Sequence, residues 1–202
     1  MIGIIDYGAG NLRSVYNAFR YIGEDARICA TPSELGRADK VVFPGVGNGG
    51  DVIGGLRSRG FDSAILDALG KGKPFLGICV GLQMLFNYTE EAEGVKCLDL
   101  VKGGVKRFPG GAGLKVPQIG WNTVKIENNE CPLFAGIKDN SFFYFVHSYY
   151  CDSAEPETTA GTTEYGVSYT SALWKENMFA VQFHPERSQD NGLKVLKNFV
   201  GA

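Results

Sequence analysis

The chain has 202 residues, 44% of them hydrophobic and 21% charged, with a formal net charge of −2. That length and balance suit one globular domain with a sizeable core, and a single domain over residues 1–202 is predicted. No dense Lys/Arg cluster and no apolar run of about eighteen residues occurs, so neither a nucleic-acid partner nor a membrane span is expected. The N-terminal stretch MIGIIDYGAGN lacks the basic segment and long apolar run of a secretory signal. The five cysteines (Cys29, Cys79, Cys97, Cys131, Cys151) are far apart and never in a CxxC pair. They predict reduced thiols in a cytoplasmic protein, with no disulfide framework, no metal site and no cofactor.

In chain order, IGII (2–5) reads as a short apolar strand. NLRSVYNAFRYIG follows, with Leu12, Val15, Tyr16, Phe19 and Ile22 at helical spacing and Gly23 as a stop. ARIC (26–29) and KVVF (40–43) are the next strands, and the glycines of PGVGNGG predict a loop directly after KVVF. FDSAILDAL (61–69) is helical up to Gly70. PFLGI (74–78) is a continuous apolar strand, and VGLQMLFNYTEEA after it has the composition of a helix. In the second half VKRF, TVKI, SFFYFV, GVSYTSALW and FAVQF are strand-like, with turn signals at NNE, EYG and KEN. GLKVLKNFV (192–200) is a closing helix. Strand–helix alternation followed by hairpins predicts an α/β, three-layer fold. Its central sheet is mostly parallel and flanked by helices, with antiparallel strands added in the C-terminal half.

Gly77-Ile78-Cys79-Val80-Gly81 sets a cysteine between the end of a strand and the start of a helix. Glycines two before and two after relieve the crowding of such a turn, the pattern of a nucleophile elbow with Cys in place of Ser. On that geometry the side chain projects above the sheet edge, a helix N-terminus favours thiolate, and the Val80 N–H is free to donate to an oxyanion. Taken alone, the pentapeptide fits a buried cysteine at a glycine-rich strand end equally well. A base is therefore needed, and two histidines compete for that role. His184 precedes Pro185, which favours an extended backbone, and Glu186 two residues on points to the same side and could fix the imidazole tautomer. His147 has no carboxylate in the next four residues and is the weaker candidate. A second oxyanion donor is expected from PGVG (44–47), at the Val46–Gly47 peptide, because open parallel sheets place ligands at the strands' carboxyl ends.

GICVGLQ, a distal QFHPE and an earlier PGVG together resemble the class I, triad-type glutamine amidotransferases. IDYGAGNLRSV, KVPQIGWN (115–122), YFVHSYY (144–150) and QFHPERS (182–188) narrow the resemblance to the glutaminase subunits of imidazole glycerol phosphate synthase. The resemblance spans nearly the whole chain and implies a flavodoxin-like sheet. It implies that Cys79 is the nucleophile, His184 the general base and acid, and Glu186 the residue that orients the histidine. Gln83, Glu91, Ser148, Tyr149 and the Gly45–Gly47 loop match positions that contact glutamine. Asn11, Trp121 and Tyr144 lie in motifs that the family places at a partner interface. Two departures, Gln118 where histidine is commoner and Arg187 where lysine is commoner, fall in regions assigned to that same face.

The implied reaction is hydrolysis of L-glutamine to glutamate and ammonia through a thioester. The ammonia would pass to a HisF-type (β/α)₈ barrel cyclase that makes imidazole glycerol phosphate and AICAR from PRFAR in histidine biosynthesis. The absence of a P-loop or a dinucleotide fingerprint agrees with an acceptor site lying on such a partner. The alternatives are a glutaminase subunit serving anthranilate or pyridoxal phosphate synthesis, a cysteine peptidase or DJ-1-like hydrolase on the same elbow, and a non-catalytic scaffolding relative.

Overall fold

The computed structural model describes residues 1–8, 11–111 and 113–202; Ala9 and Gly10 of the DYGAGN motif, and Ala112, lie outside the described residues. The strands are β1 (Ile2–Ile5), β2 (Ala26–Cys29), β3 (Lys40–Gly45), β4 (Phe75–Cys79), β5 (Tyr88–Thr89), β6 (Gly103–Arg107), β7 (Gln118–Ile126), β8 (Ser141–His147), β9 (Tyr149–Ser153), β10 (Thr159–Glu164), β11 (Ser168–Lys175) and β12 (Met178–Val181). The helices are α1 (Leu12–Tyr21), α2 (Pro32–Gly36), α3 (Gly49–Ser58), α4 (Phe61–Gly70), α5 (Val80–Gln83) and α6 (Gln189–Gly201).

Among the described residues the strands join into a 12-stranded sheet whose main path runs β2-β1-β3-β4-β12-β11-β10-β7-β8. The path is parallel from β2 to β12 and antiparallel beyond. β1, β4 and β12 are buried at every residue, as strands covered on both faces must be. Helices α1 and α6 meet through Phe19 and Phe199, while α4 packs against both α2 and α3. The α/β architecture expected from the sequence is the observed one.

Two local expectations are corrected. PGVGNGG is not a loop throughout: Pro44 and Gly45 continue β3, and α3 begins at Gly49. Four glycines in α3 hide its helical pattern, yet Asn48 caps it by accepting from the Gly50 N–H at 2.8 Å. Packing bears on two of those glycines, because a Cβ on Gly55 would come 2.9 Å from the Tyr7 carbonyl and one on Gly49 would come 2.9 Å from the Met84 Cε. The helix after Cys79 also stops early, at Gln83. The carbonyls of Met84, Leu85 and Phe86 accept from the amides of Leu98, Leu100, Val101 and Asp99, so a crossing segment satisfies them in place of a continued helix.

The parallel registers position the site. Gly45 of β3 lies opposite Cys79, and Val181 of β12 opposite Ile78, so three carboxyl ends converge on the elbow. Here the glycines are compulsory. A Cβ on Gly81 would sit 2.0 Å from the Phe43 carbonyl oxygen, and one on Gly77 would sit 2.8 Å from the Gly81 oxygen. Exposed Gly54 of α3, by contrast, has nothing within 4 Å of its would-be Cβ. Gly81→Ala should therefore lower unfolding free energy by about 3 kcal/mol or more, and Gly54→Ala should raise it by about 0.5–1 kcal/mol. Denaturant titration of the two variants against wild type checks both signs.

Candidate active site

Cys79 has φ 56° and ψ −110°, a backbone conformation that L side chains rarely adopt. The strain follows from the turn of β4 directly into α5, with no residue between strand and helix. The side chain reaches a cavity of about 420 Å³ lined in part by Val46, Gly47, Val80, Gln83, Glu91, Ser148 and Tyr149. Nearly every residue expected to meet substrate thus shares one cavity with Cys79. Gly45 lies beneath it, where a Cβ would come 2.7 Å from the Val80 Cβ.

His184 follows β12 and is fixed by its backbone. Its N–H donates to the Tyr144 carbonyl at 2.9 Å, and its own carbonyl accepts from Ser188 Oγ at 2.7 Å. Pro185 to Arg187 form a single 3₁₀ turn that brings Glu186 back under the ring. Glu186 Oε1 lies 2.8 Å from His184 Nδ1, and the Glu186 side chain has no solvent exposure. That contact leaves Nε2 as the free ring nitrogen, and it is buried without a hydrogen-bond partner. Burial disfavours the charged ring, but the Cys79 sulfur and the Glu186 carboxylate outweigh it and push the His184 pKa up to about 10.

The other histidine cannot be the base. His147 is buried against the rings of Phe108, Phe145 and Tyr169. Its Nδ1–H donates to the Tyr149 carbonyl at 2.7 Å, and Nε2 lies 3.2 Å from the Tyr169 hydroxyl. Desolvation, with the nearby His184 charge, lowers its pKa to about 4, so the ring is neutral.

Of the residues expected to supply oxyanion donors, Val80 opens α5, so its N–H has no partner within the helix. The Val46 N–H is turned toward the Tyr7 hydroxyl at 3.4 Å, and exposed Gly47 has φ 102°. Glu91 Oε2 accepts from the Gly49 N–H at 2.6 Å, and burial raises its pKa. Gln83 Nε2 donates to the Tyr149 carbonyl at 3.0 Å.

The expected partner-face residues divide. Trp121 is 46% exposed and packs edge-on against Tyr144, whose ring carries the Arg187 guanidinium 5.3 Å above it. Gln118 is corrected: at 3% exposure its side chain turns inward to the Tyr169 hydroxyl. Strand alternation puts Gln118 on one face of β7 and Ile119 and Trp121 on the other. Asn11 is half-buried and donates to Glu186 Oε1 at 3.3 Å, so within this chain it touches the carboxylate beside His184. Sequence reasoning missed Gln182, Tyr7 and Ser188 as parts of the site, and Ile119 and Phe142 as exposed apolar residues. For Gln182 a signal existed, since it lies two residues before His184 in an extended segment. Among the described residues no group of three His, Cys, Asp or Glu side chains is placed to hold a metal ion, and no helix is long and apolar enough to cross a membrane.

Because His147 stays neutral when folded and titrates near 6.5 when unfolded, the unfolded chain binds more protons between about pH 4 and 6.5. Its contribution is complete above that window and is lost as pH falls through it. His147→Asn should remove a slope on the order of 3 kcal/mol from stability across the window. Unfolding titrations of both proteins at pH 4.5 and 7 test this.

The family model for glutamine amidotransferase class-I matches residues 3–202. The imidazole glycerol phosphate synthase subunit HisH of Chlorobaculum tepidum is 50% identical over 200 residues, covering 98% of each chain. The HisH of Dehalococcoides mccartyi is 46% identical over 199 residues, covering 98% of this chain and 96% of its own. Among solved structures, PurLQS from Thermotoga maritima superposes with a TM-score of 0.77 at 19% identity, covering 99% of this chain and 97% of that one. The glutaminase domain of Trypanosoma brucei CTPS, solved with bound acivicin, gives 0.70 at 15% identity, covering 99% and 93%. These two likenesses concern the fold, whereas the family model and the sequence relatives carry the assignment. The chain belongs to the class-I glutamine amidotransferases and, within them, to the HisH subunits of imidazole glycerol phosphate synthase.

Proposed function

We propose that residues 1–202 act as one glutaminase domain that hydrolyses L-glutamine and hands the ammonia to a HisF-type (β/α)₈ barrel subunit for imidazole glycerol phosphate formation. The observation that carries this reading is the strained Cys79 opening on a cavity, with a His184–Glu186 pair buried close by whose ring is held charged by the Cys79 sulfur and the Glu186 carboxylate.

In this reading the Cys79 thiolate attacks the side-chain carbonyl carbon of glutamine, and the carbonyl electron pair moves to oxygen. The Val80 amide and an amide of the Val46–Gly47 loop stabilise that oxyanion. Losing one such donor typically costs on the order of 100- to 1000-fold. Protonated His184 gives its Nε2 proton to the departing nitrogen, so ammonia leaves as the thioester forms. Neutral His184 then takes a proton from water, which attacks the thioester and returns Cys79 to thiolate. Glu186 holds the ring with Nε2 toward the sulfur. Gly45, Gln83, Glu91, Ser148 and Tyr149 position the substrate. The Val46 N–H directed at Tyr7, with Gly47 free to change conformation, supports a loop that reaches its working form when the partner docks.

Ammonia released into water is protonated and lost, so the acceptor must cover the cavity mouth. Ile119 (63% exposed), Trp121 and Phe142 (57% exposed) form an apolar face on β7 and β8, and Tyr144 and Arg187 adjoin it. In the proposal this exposed face is the docking surface, and its aromatic residues serve the partner instead of the core.

Two experiments decide these points. Cys79→Ala should lower glutamate release at least about 1,000-fold, measured with a HisF-type barrel and its nucleotide substrate present. Equal rates in mutant and wild type would end the enzymatic reading. Ile119→Asp should weaken barrel binding at least about tenfold by titration calorimetry while leaving the unfolding midpoint unchanged. Undiminished binding would move the docking face elsewhere.

A further inference from the structure

One polar side chain at the centre of the site has no part in the mechanism above. Gln182 has no solvent exposure and is absent from the cavity lining, yet its Nε2 donates to Cys79 Sγ at 3.6 Å. Its Oε1 accepts from Gln83 Nε2 at 3.1 Å and from the Cys151 thiol at 3.9 Å.

An amide can turn over and exchange donor for acceptor, so the direction of this contact has to be argued. The Tyr149 carbonyl decides it. A carbonyl only accepts, and this one takes the His147 Nδ1–H and a Gln83 N–H. Gln83 must therefore present its NH₂ end on this side. Its second N–H then points at Gln182, which must answer with oxygen. Turning Gln182 over would set two buried NH₂ groups against each other, leaving donors unsatisfied. With its oxygen committed, Gln182 has only its NH₂ to offer the sulfur. Two amides thus transmit the polarity of one backbone carbonyl to Cys79.

We propose that Gln182 is the hydrogen-bond donor that holds the Cys79 sulfur in its anionic state, oriented for that role by Gln83 and the Tyr149 carbonyl. The proposal rests on Cys79 being the nucleophile. The donor acts where negative charge resides on sulfur, before attack and again when the C–S bond of the thioester breaks. In that second step water has added to the carbonyl carbon, His184 has taken its proton, and the C–S electron pair departs onto sulfur. An N–H aimed at that sulfur stabilises it as a leaving group. Since Gln182 has no solvent exposure and touches the sulfur, its effect falls on turnover and not on holding glutamine. The four-residue helix α5 supplies little dipole, so in place of a helix N-terminus this side chain adds its N–H to the support that the charged His184 ring gives the sulfur.

The test is the pH dependence of Cys79 alkylation by iodoacetamide in the full chain, with Cys79→Ala subtracting the other cysteines. Gln182→Leu removes the donor at similar volume, and Gln182→Glu keeps an acceptor for Gln83 but sets an oxygen against the sulfur. In both, the alkylation midpoint should rise by about one pH unit or more, roughly tenfold less thiolate at neutral pH. In complex with the barrel, kcat for glutamate release by Gln182→Glu, which keeps the acceptor for Gln83, should fall about tenfold with KM unchanged. An unmoved alkylation midpoint in either folded variant overturns the proposal, as does a loss confined to KM. Should neither variant fold, the wild type decides. A glutamine side-chain amide proton must then shift in NMR titration with the Cys79 alkylation midpoint, and the absence of any such signal refutes the assignment. Full glutamate release by Cys79→Ala would instead remove the nucleophile reading on which the proposal stands.

Discussion

The site depends on one crowded backbone contact, the Phe43 carbonyl of β3 pressed against Gly81 just past the elbow. No side chain fits at that point, since a Cβ would lie 2.0 Å from the oxygen. The closeness lets β4 turn into α5 without a connecting loop, and it forces Cys79 into positive φ. The energy for holding that strain comes from the sheet. β4 lies between β3 and β12, buried throughout, and its ladder on each side leaves no room to relax. The same parallel register that crowds the elbow also delivers its partners. β3 ends in the Gly45–Gly47 loop beside Cys79, and β12 runs on into Gln182, His184 and Glu186.

Charge is handled by burial at this convergence. A deeply buried imidazole would ordinarily lose its proton, as His147 does with its pKa near 4. His184 moves the opposite way because the Cys79 sulfur and the Glu186 carboxylate outweigh its burial. The two histidines, in related surroundings, are separated by their neighbours alone, and that separation assigns them different work. His147 is a neutral structural donor, and its bond to the Tyr149 carbonyl is one of the contacts that set the direction of the amides leading to the sulfur.

Much of this was legible in the sequence, for reasons that differ by residue. The elbow and the His184–Glu186 pair could be read because a strand ending in G-x-C-x-G and a histidine ahead of proline constrain their own backbones. Helix α3 could not, since Gly55 and Gly49 serve contacts with Tyr7 and Met84 that no local pattern reveals. The early end of α5 was hidden for a similar reason, its free carbonyls being taken by the segment from Leu98 to Val101. Gln118 was misplaced by taking a motif as a unit, when alternation along β7 already separates it from Ile119 and Trp121. Gln182 was overlooked because its importance lies in which end of an amide faces which atom, a property that exists only once distant chain segments are packed together.

The alternation of β7 bears on how a docking event could reach the nucleophile. Ile119 and Trp121 face outward, while Gln118 beside them in the strand faces in and bonds the Tyr169 hydroxyl. From Tyr169 the contacts run to His147, to the Tyr149 carbonyl, to Gln83 and Gln182, and so to Cys79. Contiguity of this kind does not make a switch, since a switch needs an element with two arrangements. The amides and rings along this route are buried and singly oriented, which suits them to rigid support. The other wall of the cavity is built differently: Gly47 is exposed at φ 102° and the Val46 N–H is directed at Tyr7. The two walls therefore have separate roles. In the proposed mechanism the first carries the donor to the sulfur and the second carries a donor for the oxyanion.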